Sequence, residues 1–200
     1  MQNYGNRTDY AYGFCGKSWN DDTFKPKYDI TASSWDQSNV FAMCGIKNLT
    51  AICEAQGIKI DLTGAVRCTG IFSTADLMHI PFIDFSVMVP GTQVTSAVFQ
   101  NSFGIKRIEG IKVSRESVLK YDGWFTNTMN LEHVLFYGEI AASLNIAATP
   151  KLDAESVQSI IDCLADLTGQ TTQTLTLHAN IALSDDQKAT ISGKNWTLVQ

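Results

Sequence analysis

Four short segments of the chain share one pattern of apolar residues. Each begins with a Phe, continues through four or five residues to an aliphatic residue, and reaches a second aliphatic residue after two more. The phenylalanines are Phe41, Phe72, Phe99 and Phe125, separated by 31, 27 and 26 residues. One such unit could not bury its apolar face alone, whereas stacked neighbours would create a continuous core. The spacing therefore predicts a stacked-repeat fold in which the four rings occupy equivalent interior positions.

A short alternating element follows three of these units. It is "IDLT" at 60–63, "IDFS" at 83–86 and, more loosely, "IKVS" at 111–114. The order apolar, charged, apolar, hydroxyl has a period of two, which is typical of a brief strand with one buried face. An ordinary β-sandwich is the alternative, since large apolar residues recur wherever strands do. The shared spacing within the units favours repetition.

The last fifty residues have a different, largely helical pattern. The segment "LDAESVQSIIDCLADLTG" at 152–169 places its apolar residues on one helical face, with Asp153 as N-cap and Gly169 as the end of the helix. "QTLTLHAN" is typical of a strand. Ser184 and Gln187 then have the spacing of a capping box, Gly193 would end this second helix, and a final strand follows. A helix, strand, helix, strand order suits a cap that keeps the last repeat from pairing with other chains.

The first forty residues are rich in aromatic side chains. These are Tyr4, Tyr10, Tyr12, Phe14, Trp19, Phe24, Tyr28 and Trp35. A terminal unit must bury a large apolar area, which favours a second cap over an aromatic binding platform. We therefore expect one domain, with an N-terminal aromatic cap at 1–40, repeat coils at 41–148 and the C-terminal cap at 149–200.

Composition and charge argue against several function classes. The net charge of -5 provides no general attraction to nucleic acid or to an anionic membrane. No apolar stretch approaches the roughly 18 to 20 residues of a membrane span, and the first residues lack the regions of a signal peptide. The five cysteines are widely spaced without a CxxC pair, which argues against a disulfide framework and a thiolate metal site. We expect no cofactor and no metal.

Polar residues share one position in the repeat, immediately before the second aliphatic residue of each unit. They are Asn48, His79, Arg107 and His133. Stacked units would align these side chains in a column at the spacing of neighbouring strands, about 5 Å. One hypothesis is a partly cationic ridge that binds an anionic or carbohydrate partner. The alternative is a solvated face without a specific role, which is the default for exposed polar residues.

No catalytic motif stands out. His79, His133 and His178 have no partner at i,i+4, and the chain lacks a Gly-x-Ser-x-Gly elbow, an HExxH motif and a phosphate-binding glycine loop. Asp61 and Asp84 share a repeat position, and a polysaccharide hydrolase would need two carboxyls about 5 to 10 Å apart in a cleft. Surface charge is the simpler interpretation, because a smooth stacked face seldom forms a cleft. We expect a protein without enzymatic activity.

Several segments together carry a resemblance to a known family. They are the four Phe units, "YGNRTDYAYGFCGKSWNDDTFKPKYDI", "LDAESVQSIIDCLADLTG" and the closing "TLTLHANIALSDDQKATISGKNWTLV". In these segments the chain resembles the BspA-type leucine-rich repeat proteins, and more narrowly the repeat domain at the C-terminal end of predicted phage minor structural proteins and bacterial surface proteins. The middle units lack the family's usual cysteine and vary in gap length. The resemblance implies a mixed α/β, strand-rich, leucine-rich-repeat-like solenoid of about four to five irregular coils with the C-terminal cap.

The resemblance also implies a recognition or structural role on a phage virion or a bacterial cell surface, and it brings no catalytic residues. We expect the partner to be a protein or glycan on a cell surface, or neighbouring virion subunits, with neither nucleic-acid binding nor membrane insertion. Two alternatives stay open at this point. One is a polysaccharide hydrolase acting through Asp84 or a neighbouring acid, and the other is a purely scaffolding virion subunit.

Overall fold

The computed structural model describes residues 22, 30–31, 41, 45–91, 96–118 and 120–200. Within these ranges the buried apolar side chains from Phe41 to Trp196 form one hydrophobic cluster. The predicted N-terminal aromatic cap at 1–40 falls almost entirely outside the described residues. None of the helices described is long and apolar enough to cross a membrane.

The described residues form a mixed α/β arrangement of three helices and nine strands. The helices are α1 (Leu49–Gln56), α2 (Ala154–Cys163) and α3 (Asp185–Gly193). The strands are β1 (Ile30–Thr31), β2 (Ile60–Asp61), β3 (His79–Ile80), β4 (Ile83–Asp84), β5 (Arg107–Val113), β6 (His133–Gly138), β7 (Leu144–Asn145), β8 (Gln173–Thr176) and β9 (Trp196–Val199). All pairs are parallel, in sheets of β1 with β2, of β3 to β6, and of β7, β8 and β9 in that order.

The prediction of a leucine-rich-repeat-like solenoid of four to five coils is wrong. The described strands belong to three small, open parallel sheets and not to one continuous ladder. Five of these nine strands contain only two residues, which is shorter than the roughly 3 to 10 residues usual for strands. Such short strands make too few hydrogen bonds to hold successive units in one uninterrupted sheet.

Strand β5 shows how units of unequal length interrupt the repeat. Two separate short strands pair with it, β3 at its start and β4 further along. On its other side β6 pairs with a register shift between Ile108 and Ile111. A shift of this kind places unequal numbers of residues opposite each other and bends the sheet locally. The sheet therefore changes geometry within a single unit.

Helix α2, and not another strand, covers the far edge of β6. The hydroxyl oxygen of Ser156 accepts a hydrogen bond from Val134 N at 2.9 Å, and that of Ser159 accepts one from Phe136 N at 3.1 Å. These two serine side chains satisfy backbone donors that would otherwise pair with the next strand. The four-stranded sheet accordingly ends at β6.

The predicted equivalence of the four phenylalanines is confirmed. Ring centroids are 5.4 Å apart for Phe41 and Phe72, 5.5 Å for Phe72 and Phe99, and 5.4 Å for Phe99 and Phe125, with interplanar angles of 9°, 7° and 23°. Each of these side chains is at most 1% exposed. The backbone follows the same alignment, since Phe99 N donates to Trp124 O at 3.0 Å. The Phe units therefore pack on one another locally, although the strands do not form a continuous ladder.

The short strands predicted from the alternating elements are present. "IDLT" begins with β2, "IDFS" begins with β4, and "IKVS" lies at the end of β5. In β2 and β4 the isoleucine is buried and the aspartate is partly exposed, as the alternation predicts. The parallel pairing of every described sheet is incompatible with the alternative of a β-sandwich, whose sheets are antiparallel.

The helix, strand, helix, strand order of the C-terminal segment is confirmed. Asp153 is the N-cap of α2 and accepts a hydrogen bond from Ser156 N at 2.8 Å. Ser184 and Gln187 form the predicted capping box, with hydrogen bonds of 2.9 and 3.1 Å. Helix α3 ends at Gly193, and the two predicted strands are β8 and β9.

Helix α2 is shorter than predicted. It ends at Cys163 and not near Gly169, because Leu164 already has extended backbone with φ -59 and ψ 122. Lys194, which follows α3, donates from Nζ to the carbonyl oxygen of Asp162 at 3.0 Å. A cation at a helix C-terminus offsets the partial negative charge of the last carbonyl groups. A residue about thirty positions away thus completes this helix, which no local pattern could show.

We expect Phe99→Ala to reduce the free energy of unfolding by about 3 to 5 kcal/mol, because it removes a fully buried ring from the middle of the stack. Urea denaturation would measure the loss. Phe103→Ala is the matched control, since the Phe103 side chain is 51% exposed and its removal should change stability by less than about 0.5 kcal/mol. Equal losses for the two variants would contradict a structural role for the stack.

Candidate functional site

The polar column predicted from the repeat is aligned in the structure. Asn48 forms a parallel bridge with His79, which pairs with Arg107 in β5. Arg107 pairs in turn with His133 in β6. The four residues therefore occupy equivalent positions on adjacent segments, as predicted. Their role in binding stays a prediction.

Asn48 begins a helix that the sequence analysis missed. Helix α1 follows it directly, and the Asn48 side-chain oxygen accepts a hydrogen bond from Ala51 N at 2.9 Å. Gly57 ends the helix at φ 61, in the left-handed region that favours glycine. An Asn before "LTAICEAQ" and a Gly after it are normal start and stop signals for a helix, so the sequence contained the evidence. Asn48 thus has a structural role as an N-cap.

The other members of the column do not form one open cationic surface. Arg107 Nε donates to both carboxylate oxygens of Glu109, at 2.9 and 3.0 Å. His133 is 7% exposed. His79 is half-buried, and its imidazole makes no hydrogen bond to the described residues. These contacts give little support to a ridge in which all four side chains act together on a ligand.

His133 and Asp153 link β6 to the start of α2. Nδ1 of His133 lies 2.7 Å from Oδ2 of Asp153, while the same carboxylate caps the helix through Ser156 N. Partial burial raises the pKa of Asp153, but hydrogen bonds from Ser156 and His133 lower it by more, so the pKa lies below its ordinary value. The buried Nε2 of His133 has no hydrogen-bond partner among the described residues. The pair therefore links β6 to the start of α2.

Asp61 and Asp84, the acids that share a repeat position, each close their own turn. Asp61 Oδ1 accepts hydrogen bonds from Thr63 N at 2.9 Å and Thr63 Oγ1 at 2.6 Å, and these hydrogen bonds lower the pKa of Asp61. Asp84 Oδ1 accepts one from Ser86 N at 2.9 Å, and Asp84 Oδ2 accepts one from Lys112 Nζ at 3.1 Å. The motif "ID-x-[ST]" is therefore a strand followed by an aspartate turn, of which the sequence analysis recognised only the strand.

The described part of the chain gives no support to cysteine chemistry or to a metal site. Cys53 and Cys68 are buried and Cys163 is half-buried, while Cys15 and Cys44 lie outside the described residues. Burial raises the pKa of the Cys163 thiol, which disfavours the reactive thiolate. No group of three or more His, Cys, Asp or Glu in the described ranges could hold a metal ion.

Two aromatic side chains form an exposed pair on the four-stranded sheet. The ring centroids of Phe82 and Tyr137 are 5.7 Å apart, with 60° between the ring planes, and the residues are 44% and 43% exposed. Gly110 of β5 lies beneath them, where a Cβ would come within 2.7 Å of Phe82 and 2.8 Å of Tyr137. A glycine inside a strand often marks such a close approach. We call Phe82, Gly110 and Tyr137 the aromatic patch.

Charged side chains border the aromatic patch. In the paired register Lys112 lies between Asp84 and Tyr137. The Lys112 and Asp84 side chains form an ion pair at 3.1 Å and are 45% and 26% exposed. An exposed ion pair contributes only about 0 to 1 kcal/mol to stability, so its groups can exchange partners with a ligand at small cost. The patch therefore combines two apolar ring surfaces with polar groups at the rim.

No motif in the sequence predicted the aromatic patch. The isolated Gly110 within the strand segment "RIEGIKV" was the available signal, because an isolated glycine in a strand indicates a bulge or a close contact. Phe82 and Tyr137 are 55 residues apart in the sequence. Only the pairing of β4 and β6 on opposite sides of β5 brings them together over this glycine.

Comparison with protein-family models, curated proteins and solved structures finds no match to this chain. The resemblance to BspA-type leucine-rich repeat proteins therefore stays a prediction based on the segments quoted above.

We expect Asn48→Ala to lower the free energy of unfolding by about 0.5 to 2 kcal/mol, because it removes the acceptor that caps α1. Asn48→Asp is the matched control, since it retains an oxygen for Ala51 N and should change stability by a few tenths of a kcal/mol. Urea denaturation of the two variants would compare them. Equal destabilisation by both substitutions would contradict the capping role.

Asp153 should make stability depend on pH in the acidic range. Because its folded-state pKa is below its unfolded value, its contribution is present above about pH 4 and is lost as pH falls through the folded pKa. Asp153→Asn keeps an N-capping oxygen but cannot titrate, so its stability should fall less between about pH 5 and pH 3. The half-exposed carboxylate limits the difference to about 1 kcal/mol or less. Thermal unfolding across this range would measure it.

Asp185→Asn is the control for this pH series. The Asp185 carboxylate is fully exposed and makes only a 4.0 Å contact with Lys188, so this variant should reproduce the wild-type profile. If stability depended on pH in Asp153→Asn as it does in the wild type, the hydrogen bonds to the Asp153 carboxylate would not contribute to that pH dependence.

Proposed function

We propose that this protein is a non-enzymatic recognition module that binds a glycan through the aromatic patch. The observation that carries the proposal is the exposed pair of rings lying directly on the backbone of Gly110. Adjoining exposed aromatic side chains form an apolar patch. Such a patch on a protein surface often marks a site at which a partner binds. A sugar ring fits such a pair, because its C–H faces pack on aromatic rings while its hydroxyl groups reach outward.

The polar rim of the patch supports a glycan over a protein partner. Lys112 offers N–H donors and Asp84 offers acceptors beside Tyr137, and sugar hydroxyls both donate and accept hydrogen bonds. A stable protein interface buries about 1,200 to 2,000 Å² in total, which requires a wider apolar surface than two rings. Recognition of one or two sugar residues needs only an area of this size.

The proposed location of this protein rests on the resemblance alone. A phage virion or a bacterial cell surface is the setting in which the resembled domains occur, and both bring a recognition module into contact with glycans. The alternative of a polysaccharide hydrolase gains no support from Asp61 and Asp84, because both carboxylates hold their own turns. A purely scaffolding virion subunit would leave the aromatic patch without a role, unless another subunit covered it.

We expect the wild-type protein to bind one or more glycans on an array without releasing reducing sugar from them. The double variant Phe82→Ala, Tyr137→Ala should lose at least about tenfold in affinity for those glycans, corresponding to about 1.4 kcal/mol. The conservative pair Phe82→Tyr and Tyr137→Phe keeps both rings and should retain binding. Isothermal titration calorimetry with the array hits would give the affinities.

Phe103→Ala is the control for exposed aromatic area, since Phe103 is 51% exposed and lies outside the aromatic patch. Thermal unfolding of all variants would separate loss of binding from loss of folding. Undiminished affinity in the double alanine variant would overturn the proposal. Turnover of a polysaccharide would favour the hydrolase, and stable co-assembly with a virion subunit without glycan binding would favour the scaffold.

A further inference from the structure

An uncharged cleft of about 340 Å³ lies next to the last phenylalanine of the stack, apart from the residues of the aromatic patch. Its lining residues are Gly123, Phe125, Thr126, Asn127, Asn145, Ala147 and Ala148. Small-molecule sites in proteins usually occupy about 300 to 1,000 Å³, so this volume suits one small ligand. None of the lining side chains carries a charge.

A short ladder of two amide side chains, Asn101 and Asn127, ends at this cleft. Asn127 Nδ2 donates to Asn101 Oδ1 at 2.8 Å, across two neighbouring turns. The turn at 146–149 shares its threonine hydrogen bond with the turn at 125–128, since Thr128 and Thr149 each donate a hydroxyl hydrogen bond at 2.7 Å to the carbonyl three residues earlier. In this alignment Ala148 occupies the position of Asn127. A methyl group there cannot continue the ladder, and open space remains.

Two exposed amide side chains at the cleft each have one polar atom without a hydrogen bond to the part of the chain that the structure describes. Asn127 uses its Nδ2 in the ladder, which leaves its Oδ1 as an acceptor without a hydrogen bond. Asn145 accepts from Ala147 N at 3.0 Å through Oδ1, which leaves its Nδ2 as a donor without a hydrogen bond. One acceptor and one donor therefore line the same cleft.

We infer that this cleft is a second binding site and that it takes a single neutral sugar residue. A hydroxyl group can donate to Asn127 and another can accept from Asn145, while the C–H groups of the ring face Ala147 and Ala148. Cationic donors favour an anion and carboxylates favour a hard cation, and the lining has neither, which favours a neutral ligand. The ligand class rests on the proposed function, but the residues of this site are different from those of the aromatic patch.

The backbone allows clean tests of the two amides. Asn127 has φ 61, a conformation that glycine adopts freely, so Asn127→Gly removes the amide without straining the turn. Asn145→Asp keeps the oxygen that accepts from Ala147 N but replaces the Nδ2 donor. Each variant should bind sugar at least tenfold more weakly than the wild type while it remains folded.

Titration of isotopically labelled protein with glucose, galactose, mannose and N-acetylglucosamine, followed by NMR, would test the site. We expect saturable shifts of the Asn127 and Asn145 side-chain amide signals with at least one of these sugars, and no such shifts with sodium sulfate. The double variant Phe82→Ala, Tyr137→Ala should give the same shifts, so failure of the aromatic patch and failure of the cleft are distinguishable. Absence of shifts with all four sugars at 50 mM, equal shifts with sulfate, or unchanged affinity in both Asn127→Gly and Asn145→Asp would overturn the inference.

Discussion

The stack of phenylalanine rings constrains the position of every segment that packs around it. Its ring spacing of 5.4 to 5.5 Å is close to the roughly 4.7 to 4.9 Å between hydrogen-bonded strands. One alignment of neighbouring units can therefore satisfy both the buried rings and the parallel backbone pairs. That alignment explains why residues 26 to 31 positions apart in the sequence, such as His79 and Arg107, become neighbours.

Regular and irregular parts of this alignment have different consequences. Where units match, polar side chains satisfy one another, as the Asn101 and Asn127 amides do. Where units differ, groups remain available to a ligand. The aromatic patch lies at the register shift in β5, and the uncharged cleft lies where Ala148 follows the amide ladder of Asn101 and Asn127. Departures from the repeat, more than the repeat itself, thus create the two surfaces to which we assign glycan binding as a proposal.

Local sequence signals predicted local structure well. The capping box of Ser184 and Gln187, the N-cap Asp153 and the end of α3 at Gly193 all depend on residues within a few positions of each other. The shared register of the Phe units was also predictable, because repeated spacing records repeated packing. The same pattern led to a wrong expectation of a continuous solenoid, since apolar spacing alone does not show how many backbone hydrogen bonds each short strand can form.

The amino-acid sequence by itself determined which side chains are buried, where the C-terminal helices begin, and which residues occupy equivalent positions in successive units. These properties follow from polarity and from spacing along the chain. Only the tertiary structure decided that His133 contacts Asp153 and that two distant rings cover Gly110. The physical reason is that these contacts depend on strand register and on a helix docked against a sheet edge, which are set by packing between distant segments.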